Sequence, residues 1–155
     1  MRRSDREITE INEIADILRD ADTIRLAINN EPYPYVVPLS FGIEMVNQKI
    51  IIYFHGAKEG LKHELIAKNP HVCVESDIFY GYADSQNGLT VEYESVIGFG
   101  LCELLDGNRA EYAMGLLLSH CNCDDGYSYD RNALNAAAVY QITLSTVSGK
   151  RNRLS

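Results

Sequence analysis

The spacing of hydrophobic and polar positions changes several times along the chain, and each spacing predicts a different element. Apolar residues recur every three or four positions between Glu10 and Asp20, which predicts an amphipathic helix. From Thr23 to Asn29 they alternate, which predicts a strand with one face in a core. Asn29–Pro32 is typical turn sequence and predicts a hairpin. Its second arm is Tyr35–Phe41, where Pro38 indicates a sheet edge or a bulge because proline has no N–H to donate.

The next segments follow the same scheme. After a turn at 46–48, Lys49–Phe54 is predicted to form a third strand. Gly60–Lys68 is predicted to form a short helix that ends at the helix breaker Asn69–Pro70. His71–Ile78 alternates again and is predicted to form another strand.

The second half contains fewer clear periods. Phe79–Leu89 mixes aromatic residues with Gly, Asp, Ser and Asn without a period, so we expect a loop there. Thr90–Leu105 is long enough for a bent strand, and Gly98 and Gly100 are the expected position of the bend. Asp106 is predicted to cap the helix that follows.

Ala138–Val147 completes about six strands, with short helices at the strand junctions and no alternation of parallel strands with helices. This order predicts a mainly β fold, an antiparallel sheet closed into a barrel. At 155 residues without linkers or repeats, we expect one domain covering residues 1–155.

Charge and composition exclude several classes of function. The net charge of −8 argues against general electrostatic binding of nucleic acid. The basic clusters Arg2–Arg3–Arg6 and Lys150–Arg151–Arg153 are interpreted either as solvated termini or as local anion contacts. No stretch approaches the roughly 18 apolar residues of a membrane span. Met1 is followed by arginines rather than by an apolar signal segment, and four scattered cysteines do not predict a disulfide framework, so we expect a cytoplasmic protein.

The run Tyr53–Lys62 contains the clearest candidate chemistry. A strand-like stretch leads through His55 and an expected turn of two small residues, Gly56 and Ala57, into a helix that carries Lys62 near its start. The first backbone N–H groups of a helix lack partners within the helix, so a phosphate can bind there beside a lysine. Taken alone, Lys62 would be interpreted as a solvated helix lysine, and the small residues before it favour the phosphate role. His55 could be a rim histidine hydrogen-bonded to backbone.

A second cluster, His120–Asp125, contains His120, Cys121 and Cys123. Structural zinc sites usually need four ligands in separated pairs, and no second pair is evident. We therefore predict a loop at the end of a helix rather than a metal site.

Four short segments together resemble the pyridoxamine 5′-phosphate oxidase-like flavoproteins, and within them the nitroimidazole-resistance proteins. The segments are Pro34–Phe41, Tyr53–Ala57 with Gly60 and Lys62, Tyr93–Gly100, and Ser148–Lys150. The resemblance implies a split β-barrel that forms a homodimer and binds FMN between its subunits. FAD, another flavin or a deazaflavin remains open.

The resemblance also implies roles for individual residues. Lys62 would bind the flavin phosphate, and His55 would be the catalytic residue, positioning a substrate oxygen or donating a proton to it. The other implied cofactor-binding residues are Val36, Val37, Pro38 and Leu39 along the ring, Phe54, His55, Gly56 and Ala57 beside the ribityl chain, and Tyr93 and Ser95 from the partner subunit.

The chain departs from the family pattern at two places. Relatives often carry a tryptophan after the final Gly–Lys pair, whereas this chain has Arg153 and no tryptophan. The arginine-rich contacts of vitamin B6 oxidases are also missing, which argues against that substrate.

The leading hypothesis is an FMN-dependent oxidoreductase that transfers electrons from a small-molecule donor to a small acceptor such as a nitro-aromatic compound. One alternative is a non-catalytic module on the same barrel that binds flavin or haem. A structural dimer without cofactor is the other.

Overall fold

The computed structural model describes residues 3–86, 88–123 and 136–154. Within these ranges, a short 3-10 helix at Ser4–Arg6 precedes eight strands and three α-helices. The strands are β1 (Glu7–Ile8), β2 (Ile24–Ile28), β3 (Tyr35–Leu39), β4 (Gly42–Val46), β5 (Lys49–Ala57), β6 (His71–Ser85), β7 (Gly88–Leu105) and β8 (Ala137–Asn152). The helices are α1 (Ile11–Asp20), α2 (Leu61–Lys68) and α3 (Gly107–His120). None of the described helices is long and apolar enough to cross a bilayer.

All strand pairings are antiparallel, and the strands form one sheet in the order β3-β2-β6-β7-β8-β5-β4, with β1 added to β8. The two outer strands, β3 and β4, are consecutive in the chain and joined only by Ser40 and Phe41. This two-residue link can span only roughly 10 Å. The sheet must therefore curl until its two edge strands approach each other. Within the described residues those edges do not pair, and the fold is a split β-barrel.

The predicted fold class is confirmed, with two corrections. The sheet has eight strands rather than six, because β1 and β4 escaped prediction. The sheet is not closed, because the edges of β3 and β4 remain unpaired. Pro38 lies on the edge strand β3, as predicted, and pairs with Arg25 of β2.

The barrel interior holds the main core. The amphipathic face of α1 packs against the barrel, and Ile14 and Leu18 are buried there. The helix α3 covers part of the outer surface, where Ala113 and Met114 form a second apolar cluster with Tyr53 and Val139. The helix α1 therefore contributes to the main core, whereas α3 packs on a separate part of the sheet.

Three local predictions were wrong. The expected loop at Phe79–Leu89 is instead the end of a hairpin, in which β6 and β7 pair out to Ser85 and Gly88. The expected turn at Gly56 and Ala57 is strand, because both residues pair with β8. Asp106 precedes α3 as expected, but its side chain makes no capping hydrogen bond.

The position predicted for a bend in β7 coincides with an irregularity in its pairing with β8 at Gly100. The register with β8 shifts between Phe99 and Gly100, where β8 carries one extra residue, Ser145. A Cβ atom on Gly100 would lie 2.3 Å from the carbonyl oxygen of Thr143. The backbones of two central strands approach too closely at this point for any side chain.

Gly100→Ala should therefore lower the free energy of unfolding by about 3 kcal/mol, the upper range for overpacking, because backbone rather than a flexible side chain must move. Gly115→Ala is the matched control, since a Cβ there meets no atom within 4 Å. Urea unfolding measures both variants. Equal stability of the two variants would contradict the close approach.

The C-terminal residues are held by ion pairs and aromatic contacts. Glu94 is buried and accepts hydrogen bonds from Tyr80 and Arg151. Burial alone would raise the pKa of Glu94, but these two bonds outweigh it and the net pKa is lowered. The guanidinium of Arg153 lies 3.6 Å from the centroid of the Tyr80 ring. Arg153 therefore packs this tail against Tyr80, near the place where the resemblance implied a tryptophan.

Candidate functional site

The end of β5 has a free backbone edge. The pairing of β5 with β4 stops at Tyr53, which lies opposite Gly42. From Phe54 to Ala57, the described partners of β5 lie only on the β8 side. Backbone N–H and C=O groups along this edge are thus available to a ligand that can pair with them. His55, Gly56 and Ala57 all lie on this edge, as the predicted site requires.

The amine of Lys62 lies against this strand end. Its Nζ atom is 5.5 Å from the centroid of the Phe54 ring. A Cβ atom placed on Gly56 would meet the Lys62 Nζ at 2.7 Å, so the lysine crosses β5 where there is no side chain. The part of the chain that the structure describes contains no ion pair to Lys62. A half-buried cation without a carboxylate is arranged to receive an anion.

The helix α2 begins beside this amine. Gly60 stands at its N-cap with a φ of +102°, and no side chain caps the helix. The helix start therefore offers backbone N–H groups and a partial positive charge. The sequence predicted a turn at Gly56 and Ala57. The chain instead turns at residues 58–60, directly before the helix.

Electrostatics sets the protonation of both candidate residues. Burial lowers the pKa of Lys62 from its ordinary value. Partial burial, and then the charge of Lys62, lower the pKa of His55. His55 is therefore neutral at pH 7 and can accept a hydrogen bond on one ring nitrogen.

Phe54 precedes His55 in β5, and its ring packs in the main core. The side chain is fully buried, so only the backbone of Phe54 lies on the free edge of β5; its contact with the cofactor stays a prediction. The ring stacks on Tyr140 with centroids 4.9 Å apart, and the Tyr140 hydroxyl lies 2.6 Å from His63 Nδ1. His63 and Tyr140 were not singled out in the sequence, because their contact joins residues 77 positions apart.

The edge strand β3 contributes the second group of predicted residues. Val37 and Leu39 pack against the core, whereas Val36 and Pro38 face outward. The outer edge of β3 is unpaired among the described residues. Leu39 is only three residues before Gly42, which faces Tyr53 of β5. The two free edges therefore border the same split of the barrel.

The third group of predicted residues, Tyr93 and Ser95, lies far from His55 within one chain. Val139 of β8 pairs with His55 on one side and with Leu105 of β7 on the other. Ser95 is ten residues from Leu105 along β7, about 33 Å of strand. One chain therefore does not bring Tyr93 and Ser95 to His55 and Lys62.

The outer face of β7 between these positions is apolar and exposed. Ile97, Phe99 and Leu101 retain 43%, 54% and 52% of their accessible surface. They are alternate residues on a central strand, so they form one continuous stripe. Contiguous apolar surface of this kind is typical of an interaction site.

The cysteine-containing segment has a different role. His120 Nε2 lies 2.8 Å from the carbonyl oxygen of Ala21, and its ring packs on Phe41. No group of metal-ligating residues occurs among the described ranges. Asp124 and Asp125 of this segment lie outside the described residues.

Comparison with known proteins assigns the family. The model of the pyridoxamine 5′-phosphate oxidase family matches residues 10–151. The chain belongs to this family. No curated protein matches the chain.

Solved structures share the fold of this family member. A proposed 5-nitroimidazole antibiotic resistance protein from Bacteroides thetaiotaomicron is 25% identical, with a TM-score of 0.82 over 93% of this chain and 85% of the other. A flavocytochrome from Azotobacter vinelandii is 17% identical, with a TM-score of 0.79 over 99% and 72% of the two chains. An FAD-binding protein from Mesorhizobium loti is 23% identical, with a TM-score of 0.67 over 96% and 98%.

Gly56→Ala provides a local test of the lysine's position. The added methyl group would displace the flexible end of Lys62 rather than backbone. We expect unfolding free energy to change by less than about 1 kcal/mol. The affinity for a phosphate-bearing ligand should fall about tenfold, because the amine leaves its position. FMN titration followed by fluorescence measures this, and unchanged affinity would contradict the arrangement.

Proposed function

We propose that this protein is a flavin-dependent oxidoreductase that binds FMN in the split of its barrel. One observation carries the proposal: a half-buried Lys62 amine without an ion pair to any described carboxylate, beside an uncapped helix start and a free strand edge. Membership of the family supports a flavin as the ligand.

In this proposal, Lys62 and the first N–H groups of α2 bind the phosphate. The backbone edges at 36–39 and 54–57 hydrogen-bond and pack along the ring system. His55 is neutral, so it accepts a hydrogen bond and positions the substrate. The flavin, when bound, supplies the electron transfer.

The site needs two subunits in this proposal. Ser95 and Tyr93 lie about 33 Å and about 40 Å of strand from the level of His55, so a second copy would have to supply them. The exposed stripe Ile97–Leu101 on the same strand offers the apolar surface for a homodimer. In such a dimer each cleft would contain His55 and Lys62 from one chain and Ser95 from the other.

The acceptor is proposed to be a small nitro-aromatic compound, on the basis of the named resistance protein among the similar structures. NADH or NADPH is the proposed class of donor. The alternative function is a binding module that holds flavin or haem without turnover. The flavocytochrome among the similar structures supports this alternative.

Absorption spectroscopy of the purified protein, followed by stopped-flow kinetics, tests the proposal. We expect a flavin spectrum, reduction by NADH or NADPH, and reoxidation by a 5-nitroimidazole under anaerobic conditions. A haem spectrum, or a flavin that the nitro compound does not reoxidise, would favour the binding module. Extraction of the bound flavin identifies FMN, FAD or a deazaflavin.

A further inference from the structure

The end of the hairpin formed by β6 and β7 extends beyond the rest of the sheet. The described residues of β2 pair with β6 only as far as Glu75, and those of β8 pair with β7 only from Tyr93 onward. Beyond these points the two strands pair with each other, out to Ser85 and Gly88. We call this two-stranded segment, Phe79–Ser85 with Gly88–Val91, the arm. A two-stranded hairpin is only marginally stable by itself in water, so packing against another surface would stabilise the arm.

One face of the arm is apolar and exposed. Phe79, Tyr82, Leu89 and Val91 retain 56%, 69%, 72% and 37% of their accessible surface. Tyr82 lies opposite Val91 in the hairpin, and its ring packs edge to face on Phe79 with the centroids 5.3 Å apart. The C-terminal tail contacts the arm near its base, where Arg153 lies on the Tyr80 ring, but these four side chains stay exposed.

This face continues the exposed stripe of β7. Leu89 and Val91 occupy alternate positions in phase with Ile97, Phe99 and Leu101, so all five side chains lie on the same side of the strand. A standard-size interface buries about 800 Å² on each partner. With roughly 150–200 Å² for each fully exposed large side chain, the exposed fractions give the stripe about 250 Å² and the arm about 400 Å². The stripe alone is too small for a stable dimer, whereas the stripe and the arm together approach the required area.

The register of such a dimer follows from the shared cleft. A two-fold axis perpendicular to the sheet places β7 of the two copies antiparallel to each other. The proposed cleft needs Ser95 of one copy at the level of His55 of the other, and His55 lies at the level of Leu105 in β7. The midpoint between Ser95 and Leu105 is Gly100, which lies within the exposed stripe. A single axis near Gly100 therefore satisfies both the cleft and the apolar contact.

This axis carries the arm of one copy past the end of β7 in the other. Leu89 precedes Gly100 by eleven residues and Leu105 follows it by five, so Leu89 arrives six residues, or about 20 Å of strand, beyond Leu105. The exposed leucines Leu61 and Leu104 lie at this end of the barrel, and a cavity of about 390 Å³ opens beside Leu104. Apolar surface is therefore present where the arm would arrive.

We propose that the arm of each chain packs on a second copy of this chain, against the barrel end around Leu61 and Leu104. The inference rests on the two-subunit site of the proposed function, and it names the segment that completes its interface. Leu61 is the first residue of α2 and is followed directly by Lys62. Each arm would therefore shield the phosphate-binding end of the other copy's cleft from water.

Hydrogen–deuterium exchange measured by mass spectrometry tests where the arm lies. The wild-type protein is compared with Phe99→Glu, whose charge at the centre of the stripe should keep the chain monomeric, and both samples are free of flavin. We expect the amides of the arm to exchange at least tenfold more slowly in the wild-type protein, with slower exchange also at residues 58–61 and 104–107. The strand β2 is paired on both sides within its own chain, so its exchange should be equal in the two proteins.

Leu89→Glu tests how much the arm contributes to association. The side chain is exposed in one chain, so the substitution should leave the fold intact, but in the dimer it would bury a charge without a partner. We expect the dissociation constant of the dimer to rise about tenfold or more, as measured by sedimentation equilibrium. Val46→Glu makes the same kind of change at an exposed apolar residue of β4 and should leave the dissociation constant unchanged.

Three results would overturn the proposal: a wild-type protein that is monomeric, equal dissociation constants for Leu89→Glu and Val46→Glu, or an arm whose exchange is no slower in the dimer. Slow exchange in the arm without slow exchange at 58–61 and 104–107 would overturn the position given to it. Neither measurement uses flavin. A dimer with a protected arm that binds no FMN would contradict the flavin proposal alone, and a dimer that binds FMN with an unprotected arm would contradict the arm contact alone.

Discussion

Lys62→Glu is expected to weaken FMN binding by about 100-fold or more. The substitution removes a charge-assisted bond to the phosphate, worth about 1.5–3 kcal/mol, and puts a negative charge in its place. The half-buried position of the amine against Phe54 and Gly56 limits screening by water, so the effect should exceed that of a surface charge. Quenching of flavin fluorescence on titration measures the affinity.

Two controls isolate the phosphate contact. Lys68→Glu makes the same charge change at the exposed end of the same helix and should leave FMN affinity within about threefold. Riboflavin lacks the phosphate, so its affinity should differ little between wild type and Lys62→Glu. Equal FMN affinity in the two glutamate variants would remove Lys62 from the site.

Phe99→Glu should convert the proposed dimer to monomer and abolish FMN binding at micromolar concentration. Phe99 is at the centre of the exposed stripe on β7, and symmetry would place two unpaired carboxylates in one interface. Leaving a charge buried without a partner costs about 3–5 kcal/mol. Sedimentation equilibrium measures the mass, and flavin fluorescence measures binding on the same samples.

Val46→Glu is the matched control. Val46 is an exposed apolar residue at the end of β4, away from the β7 stripe, and its replacement should leave both mass and affinity unchanged. A Phe99→Glu protein that is monomeric but binds FMN normally would contradict a site shared by two subunits. A wild-type protein that is already monomeric would do the same.

Local sequence patterns predicted most of the elements. The helical period of α1, the alternation in β2 and the breaker after α2 depend on neighbouring residues, so sequence reveals them. The irregular pairing at Gly100 was predictable because glycine marks a close backbone approach. The hairpin at Phe79–Leu89 was missed because residues exposed on both faces leave no apolar alternation.

The residues of the candidate site also differ in whether local sequence reveals them. Lys62 and His55 were recognisable because they belong to one short run of the chain. His63 and Tyr140 meet only through the fold, because their contact joins residues 77 positions apart and has no local signal. The extension of β5 to Ala57 also depends on its partner strand, which lies outside any local window.

A heterodimer of two defective chains tests the shared site most directly. One chain would carry Lys62→Glu and the other Ser95→Glu, each with a different affinity tag, so that only the mixed dimer is purified. Each homodimer should bind no FMN, because both of its sites contain a lesion. The mixed dimer has both lesions in one cleft and none in the other, so the account predicts one FMN per dimer. If each chain formed its site alone, the mixed dimer would bind none, and that result would contradict the account.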